Sequence, residues 1–274
     1  DGQKLEIINA MVHGGNSTFI GSGSPLVSIA NLTETAATNL VFGGDVIYSL
    51  ESANTFSGTT TVNAEATLQT VQGGLSGGDI TVNSGGSLIV NVGTYSNIIT
   101  LNGDGNDSSQ GALVKGSGGN VFWNGNVNVT SDAEIRSANG NELLFDAGIT
   151  TLSSGAELTL DADNRLNYRS AARIVGDSTT TLQISGTDRV DMEVGIPDFD
   201  GTINVGSDGS DGNEIWGSLD LHAIGSLGSS VGAVYVRGTE GTVYLRNNRS
   251  FEKNFFIEGD GRGSNGAIRS ENGT

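Results

Sequence analysis

The stretch from Phe56 to Asn91 reads FSGTTTVNAEATLQTVQGGLSGGDITVNSGGSLIVN. Taken two residues at a time, Thr60, Val62, Ala64, Ala66 and Leu68 fall on one side, and Thr61, Asn63, Glu65, Thr67 and Gln69 fall on the other. That is the period of a half-buried strand. After a Gly-rich break the pattern restarts at Ile80 and Val82, breaks at Ser84, Gly85 and Gly86, and restarts at Leu88 and Val90. Glycine corners admit positive φ at little steric cost, so the chain can turn and lay each short strand against the one before.

The distance of return is visible in one apolar position per circuit: Val62, Val82, Leu101, Val121, Leu143, Leu160, Leu182 and Ile203. These positions repeat about every twenty residues, the range in which units too small to bury their own apolar face stack on their neighbours. The reading is an all-β parallel β-solenoid with about 20 residues per coil.

Composition agrees. Glycine accounts for 43 of 274 residues, more than twice an average usage of about 7%, while two prolines leave the strand ladders almost unbroken. The 31 acidic residues outnumber the 13 basic ones, for a formal charge of −18. That balance disfavours nucleic acid, which binds through positive charge. There is no cysteine, hence no disulfide and no thiolate metal site. No apolar run approaches the ~18 residues that cross a bilayer, so no membrane insertion of this segment is expected. A start at Asp1 without Met or a signal peptide is what a processed or excised piece would show.

The chain reads as one continuous solenoid, residues 1–274, without a helix. Residues 1–55 form irregular N-terminal coils, 56–196 a first module and 197–274 a second, incomplete one. The modules are marked by echoes. Asn54 to Thr59 (NTFSGT) returns as Pro197 to Thr202 (PDFDGT), and Leu101 to Gly105 (LNGDG) followed by Gly111-Ala112-Leu113 returns as Ile257 to Gly261 (IEGDG) followed by Gly266-Ala267-Ile268. The polar, acidic stretch 206–218 is expected to loop out of the column.

The order FSGTTTVN, ITVNSGGSL, LNGDG, GAL, NVFWNGNV and AEIRS resembles the autotransporter-associated β-strand repeats of bacterial autotransporters and related large surface adhesins. The resemblance covers residues 40–160 well and 197–274 more loosely. It implies a right-handed parallel β-helix, secreted or displayed on a bacterial surface, that serves as a stalk or adhesive body. A whole member would carry a C-terminal translocator barrel, which this sequence does not show.

Candidate chemistry is spread thinly. Some parallel β-helices cleave polysaccharides with groove carboxylates. The constellation suited to that here is Asp161 and Asp163, Asp188, Asp191 and Glu193, and Asp198 and Asp200, with Arg165, Arg169 and Arg173 close in sequence. Paired catalytic carboxylates need a separation of about 5–9.5 Å across one cleft, and the simpler expectation is that the three arginines form exposed ion pairs. No catalytic residue and no cofactor is therefore assigned. Asn102 to Asp107 fails as an EF-hand, because the sixth position is Asp107 rather than Gly and the twelfth is Leu113 rather than Glu. Weakly bound calcium has its candidates in Asp208, Asp211 and Glu214, against the plainer reading of solvated corners. His13 and His222 stand more than two hundred residues apart and look like ordinary surface residues.

Trp123 and Trp216 are the candidate stacking faces for a glycan, with Tyr95, Tyr168, Tyr235 and Tyr244 scattered among polar residues. Since Phe122 and Trp123 are adjacent, one of them fills the core and the other lies outside. The expected function is that of a non-enzymatic extracellular structural or adhesive β-solenoid. Its expected partners are host or matrix glycans and proteins, or further copies stacked end to end through Leu5, Ile7, Arg269 and Glu271 into filaments. The alternative is a carbohydrate-active β-helix that binds or cleaves polysaccharide.

Overall fold

In the computed structural model the alternation of the sequence becomes alternation of burial: Thr60–Val62 and Ile80–Val82 each bury both outer residues and leave the central threonine half-buried. The structure describes residues 4–23, 26–51, 54–75, 77–106, 111–206, 216–222, 227–228, 231–246, 251, 253–264 and 266–271. Among them there is no α-helix, only a 3-10 turn at Arg262–Ser264. The strands make one nineteen-stranded sheet, one eight-stranded sheet and a short pair, Met11–Val12 with Thr33–Glu34.

Three parallel ladders run along the body. The first carries Val62 on Val82, Val82 on Leu101 and Leu101 on Val129. The second carries Leu68 on Leu88, Leu88 on Leu113 and Leu113 on Ile135. The third, the eight-stranded sheet, carries Tyr95 on Trp123, Trp123 on Phe145, Phe145 on Tyr168 and Tyr168 on Met192. The first two count as one sheet because Val127–Ser137 runs around the corner between them, its start pairing in one ladder and its end in the other.

The solenoid makes about ten turns, about 23 residues apart, which lengthens the twenty-residue period read from the sequence. Val62, Val82 and Leu101 are true partners, as are Val121 with Leu143 and Leu182 with Ile203. Leu101, however, pairs with Val129, while Val121 belongs to the third ladder, and Leu160 pairs with Ile184 rather than Leu182. Alternation marks the inward side of a strand but not which ladder the strand joins, and residues inserted at corners stretch the circuit. The loop expected over 206–218 also ends earlier, since Gly217–Leu221 is already a strand of the third ladder.

Stacking in register brings like groups together. Tyr95 lies 5.6 Å above Trp123 at 13°, and Phe145 lies 4.5 Å above Tyr168 at 10°. Amides do the same at the corners: Asn83 donates to Asn63 at 2.8 Å, and Asn39 donates to Asn16 at 3.0 Å. Two glycines show why the turns demand them. A Cβ on Gly58 would lie 2.3 Å from the Thr38 carbonyl oxygen, and one on Gly201 would lie 2.4 Å from that of Thr180. Each of the two echoing segments also sinks its phenylalanine, Phe56 or Phe199, into the core.

Trp123 is 0% exposed, which corrects its reading as a glycan-stacking face. Tyr95 and Tyr168 are core residues too. Phe122 is the outward neighbour, with the Arg169 guanidinium 5.6 Å over its ring. Replacing Trp123 by Ala is therefore expected to cost about 3–5 kcal/mol in urea unfolding, and replacing Phe122 by Ala about 1 kcal/mol or less. Equal losses would contradict the inward placement of Trp123.

Candidate functional site

Two charged tracts lie on the outside of the solenoid. The first follows the second ladder, where the outward positions Gln69, Ile89, Val114, Arg136 and Asp161 are successive partners. Over the first four of them runs an open groove of about 650 Å³, with Ile47, Ile89 and Val114 among its apolar lining and Asn91, Asn106 and Asn139 among its polar lining. Arg136 also lines the groove. Its guanidinium pairs with Asp163 and lies 3.4 Å from Asp161.

Glu134 stands two residues before Arg136 on the same side of the strand, because Ala133, Ile135 and Ser137 point inward. Its Oε1 is buried without a hydrogen-bond partner. Burial, then the charge of Asp161, pushes this carboxyl up to about 7, against the pull of Arg136. Asp161 is raised as well, chiefly by burial and then by Asp163. A carboxyl that changes charge near neutrality can give or take a proton, the property required of a general acid or base. The outward place of Glu134 is legible from alternation. Its neighbours Asp104 and Asp161 come from other coils, and only the ladders bring them close.

The second tract follows the third ladder, where Asn167, Asp191, Asp220, Tyr244 and Arg269 form an outward row in register. Asp191 and Asp220 are nevertheless 0% exposed, because arginine side chains lie across them. Arg165 pairs with Asp191 and, at 3.1 Å, with Glu142. Arg246 donates through Nε to both oxygens of Asp220 at 2.7 and 2.8 Å. Arg189 reaches across the row, 3.3 Å from Asp191 and 3.7 Å from Asp220. His222 Nε2 lies 3.3 Å from Asp220 and 3.7 Å from Asp191. Burial raises the Asp191 carboxyl above its ordinary range, while Arg165 and Arg189 pull it down and Asp220 adds to the rise.

The acids singled out from the sequence do not converge. Asp161 and Asp163 belong to the groove tract and Asp191 to the third ladder. Asp188 is exposed, and Glu193 accepts from Asn167 at 2.7 Å. Asp198 faces Arg173 at 3.7 Å beside the bridge of Gly176 and Phe199. Of the arginines, Arg169 pairs with Asp146. Arg165 departs from the expectation of an exposed pair, since its partner Asp191 is fully buried.

Trp216 keeps 41% of its surface, with Arg262 stacked 5.2 Å from one ring face. Leu5 is exposed, whereas Ile7 packs on the core. Arg269 is held within the chain by Tyr244 Oη at 3.1 Å. Asp107, Asp208, Asp211 and Glu214 lie outside the described residues, as does the side chain of Glu271. His13 is exposed, with Nδ1 3.0 Å from the Thr35 hydroxyl. His222 is the residue that the sequence undervalued, because its neighbour Asp191 lies 31 residues earlier, on Val190–Met192, and nothing local signals the pairing of that strand with Gly217–Leu221.

Between pH 4.5, the ordinary value for glutamate, and about 7, the folded chain holds a proton on Glu134 that the unfolded chain has released. Stability contributed by this group therefore falls as pH rises through that window. Glu134→Gln is expected to stabilise the chain by about 1–2 kcal/mol at about pH 8 and by little at about pH 4, in urea unfolding at the two values. A pH-independent effect would show that the carboxyl ionises normally.

No protein-family model matches the chain, and no solved structure matches it. Over 284 residues the chain is 27% identical to a protein of Brucella suis biovar 1 (strain 1330) named Adhesin BmaC autotransporter; the match takes in 86% of this chain and 8% of that protein. The chain thus spans less than a tenth of that relative's length. The parallel ladders and this likeness together make the chain a β-solenoid similar to one part of an autotransporter adhesin.

Proposed function

We propose that the chain is a non-enzymatic, extracellular structural and adhesive stretch of a bacterial surface protein. The observation that carries this reading is the likeness to a protein named an adhesin, spread over 86% of the chain. The surface chemistry supports it. Asp146, Asp161, Asp163, Asp191 and Asp220 all lie against arginines, and the acids suited to cleavage are divided between separate faces. The amide-lined groove offers donors and acceptors to a neutral glycan or an extended peptide of a host or matrix protein, and Trp216 offers a ring face.

The first coil exposes Leu5, Ile8, Met11 and Ile20, and near the other end Phe256 and Ile257 are exposed. A further solenoid coil is the element that covers such an edge, since it satisfies both the apolar surface and the unpaired backbone groups. That coil belongs either to a longer chain or to a second copy stacked end to end. Light scattering separates the two: mass that grows with concentration supports end-to-end assembly, and a constant monomer mass removes it.

One observation favours the carbohydrate-active alternative: Glu134, with its carboxyl at about 7, lies beside the groove residue Arg136. Binding of the chain to arrays of glycans and matrix proteins, together with a polysaccharide panel assayed for released ends, tests the choice. The expected result is retention on the array with no cleavage above background. Robust cleavage that is abolished in Glu134→Gln would replace the adhesive reading by the enzymatic one.

A further inference from the structure

The row of Asp191, Asp220 and His222 is stranger than an ion-pair network requires. Asp191 is wholly buried, yet its Oδ1 accepts no hydrogen bond. Arg189 Nε lies 3.3 Å from that oxygen and is itself without a hydrogen-bond partner. His222 Nε2 is buried and makes no hydrogen bond either. An unmet acceptor on an enclosed carboxylate is costly, and so is an unmet imidazole nitrogen beside it. A single cation between them satisfies both.

The spacing suits one class of cation. His222 Nε2 lies 3.3 Å from Asp220 Oδ1 and 3.7 Å from Asp191 Oδ1, and the three ligand atoms all lie within 4.8 Å of one another. Bonds of about 2.0–2.2 Å to a tetrahedral ion place its ligands about 3.3–3.6 Å apart. Among the described residues this is the one group of three such side chains that converges. We propose that Asp191, Asp220 and His222 form a site for a divalent transition-metal ion of the zinc type, with a water in the remaining position.

The surroundings are those of a second shell. Arg165 holds Asp191 through Oδ2, so that Oδ1 makes no hydrogen bond and faces the ion, and Arg246 orients Asp220. Arg189 is the competitor, because its charge occupies the same space. Its side chain is 37% exposed and badly aligned on Asp191, so it can swing into solvent when the ion enters. Calcium fits poorly, since it takes about six to eight oxygen ligands and one of the three ligands here is a nitrogen. The bound ion would clamp Val190–Met192 to Gly217–Leu221, strands of adjacent coils in which the partners Asp191 and Asp220 lie 29 residues apart in sequence. Closing a loop of that length is where a cross-link stabilises most. The inference stands apart from the adhesive reading and does not depend on it.

The test uses the whole chain, stripped of metal and titrated with zinc chloride by calorimetry and by thermal unfolding. One equivalent is expected to bind and to raise Tm, and cobalt(II) at the same site is expected to give visible ligand-field absorption. His222→Gln should weaken zinc binding by about tenfold or more, while His13→Gln should leave it unchanged. Arg189→Gln should tighten binding severalfold, because it removes a competing positive charge. A merely structural ion-pair row predicts the opposite for Arg189→Gln: lower stability and no gain in zinc affinity. No binding by the native chain and the Arg189→Gln chain at millimolar zinc overturns the site, and so does binding undiminished in His222→Gln.

Discussion

Along the described ladders of this solenoid, backbone amides find their partners one coil away, in parallel register. That constraint places every side chain directly over its counterpart in the coil below. Apolar residues gain from it without further arrangement, as the file Tyr95, Trp123, Phe145 and Tyr168 shows. Amides gain too, because Asn carries a donor and an acceptor and can bond to a copy of itself, as Asn63 and Asn83 do.

Charges do not gain. A chain of net charge −18 that stacks like on like must bring carboxylates together. Where Asp191 meets Asp220, three arginines and a histidine gather around the pair, and the hydrocarbon of those arginines seals the carboxylates from water. Where Glu134 meets Asp161, Arg136 serves the cluster, and burial, then the charge of Asp161, raises the Glu134 carboxyl toward neutrality. Two buried lysines are accommodated by carbonyl groups. Lys115 donates to Gly116 O at 2.7 Å, and Lys253 donates to Gly201 O at 3.2 Å while sitting over the Phe199 ring. Burial lowers the affinity of both amines for their protons.

The same register explains why the outside of the body offers tracts rather than a single cleft. A side chain that points outward on one coil is followed by others at the same place on the next, so recognition chemistry is drawn out along the axis. The groove over Ile89 and Val114 and the row through Asp191 and Asp220 are both of this kind. Adhesive surfaces that grip an extended ligand suit such a shape, as do metal clamps between adjacent coils.

Reading the sequence alone determined the solenoid itself and the inward faces of strands such as Thr60–Val62 and Ile80–Val82, because alternation and glycine corners are local. It did not determine the corner between strands, where Ala64, expected inward, is exposed and Thr67, expected outward, is buried. The inward place of Val62 and Val82 and the outward place of Asn63 and Glu134 follow from that rule. Only the tertiary structure decided which coil faces which. Leu101 meets Val129 rather than Val121, Trp123 rather than Phe122 enters the core, and His222 arrives beside Asp191 from the next coil. The reason is that register depends on how many residues each corner inserts, and a corner's length is invisible to a period of two.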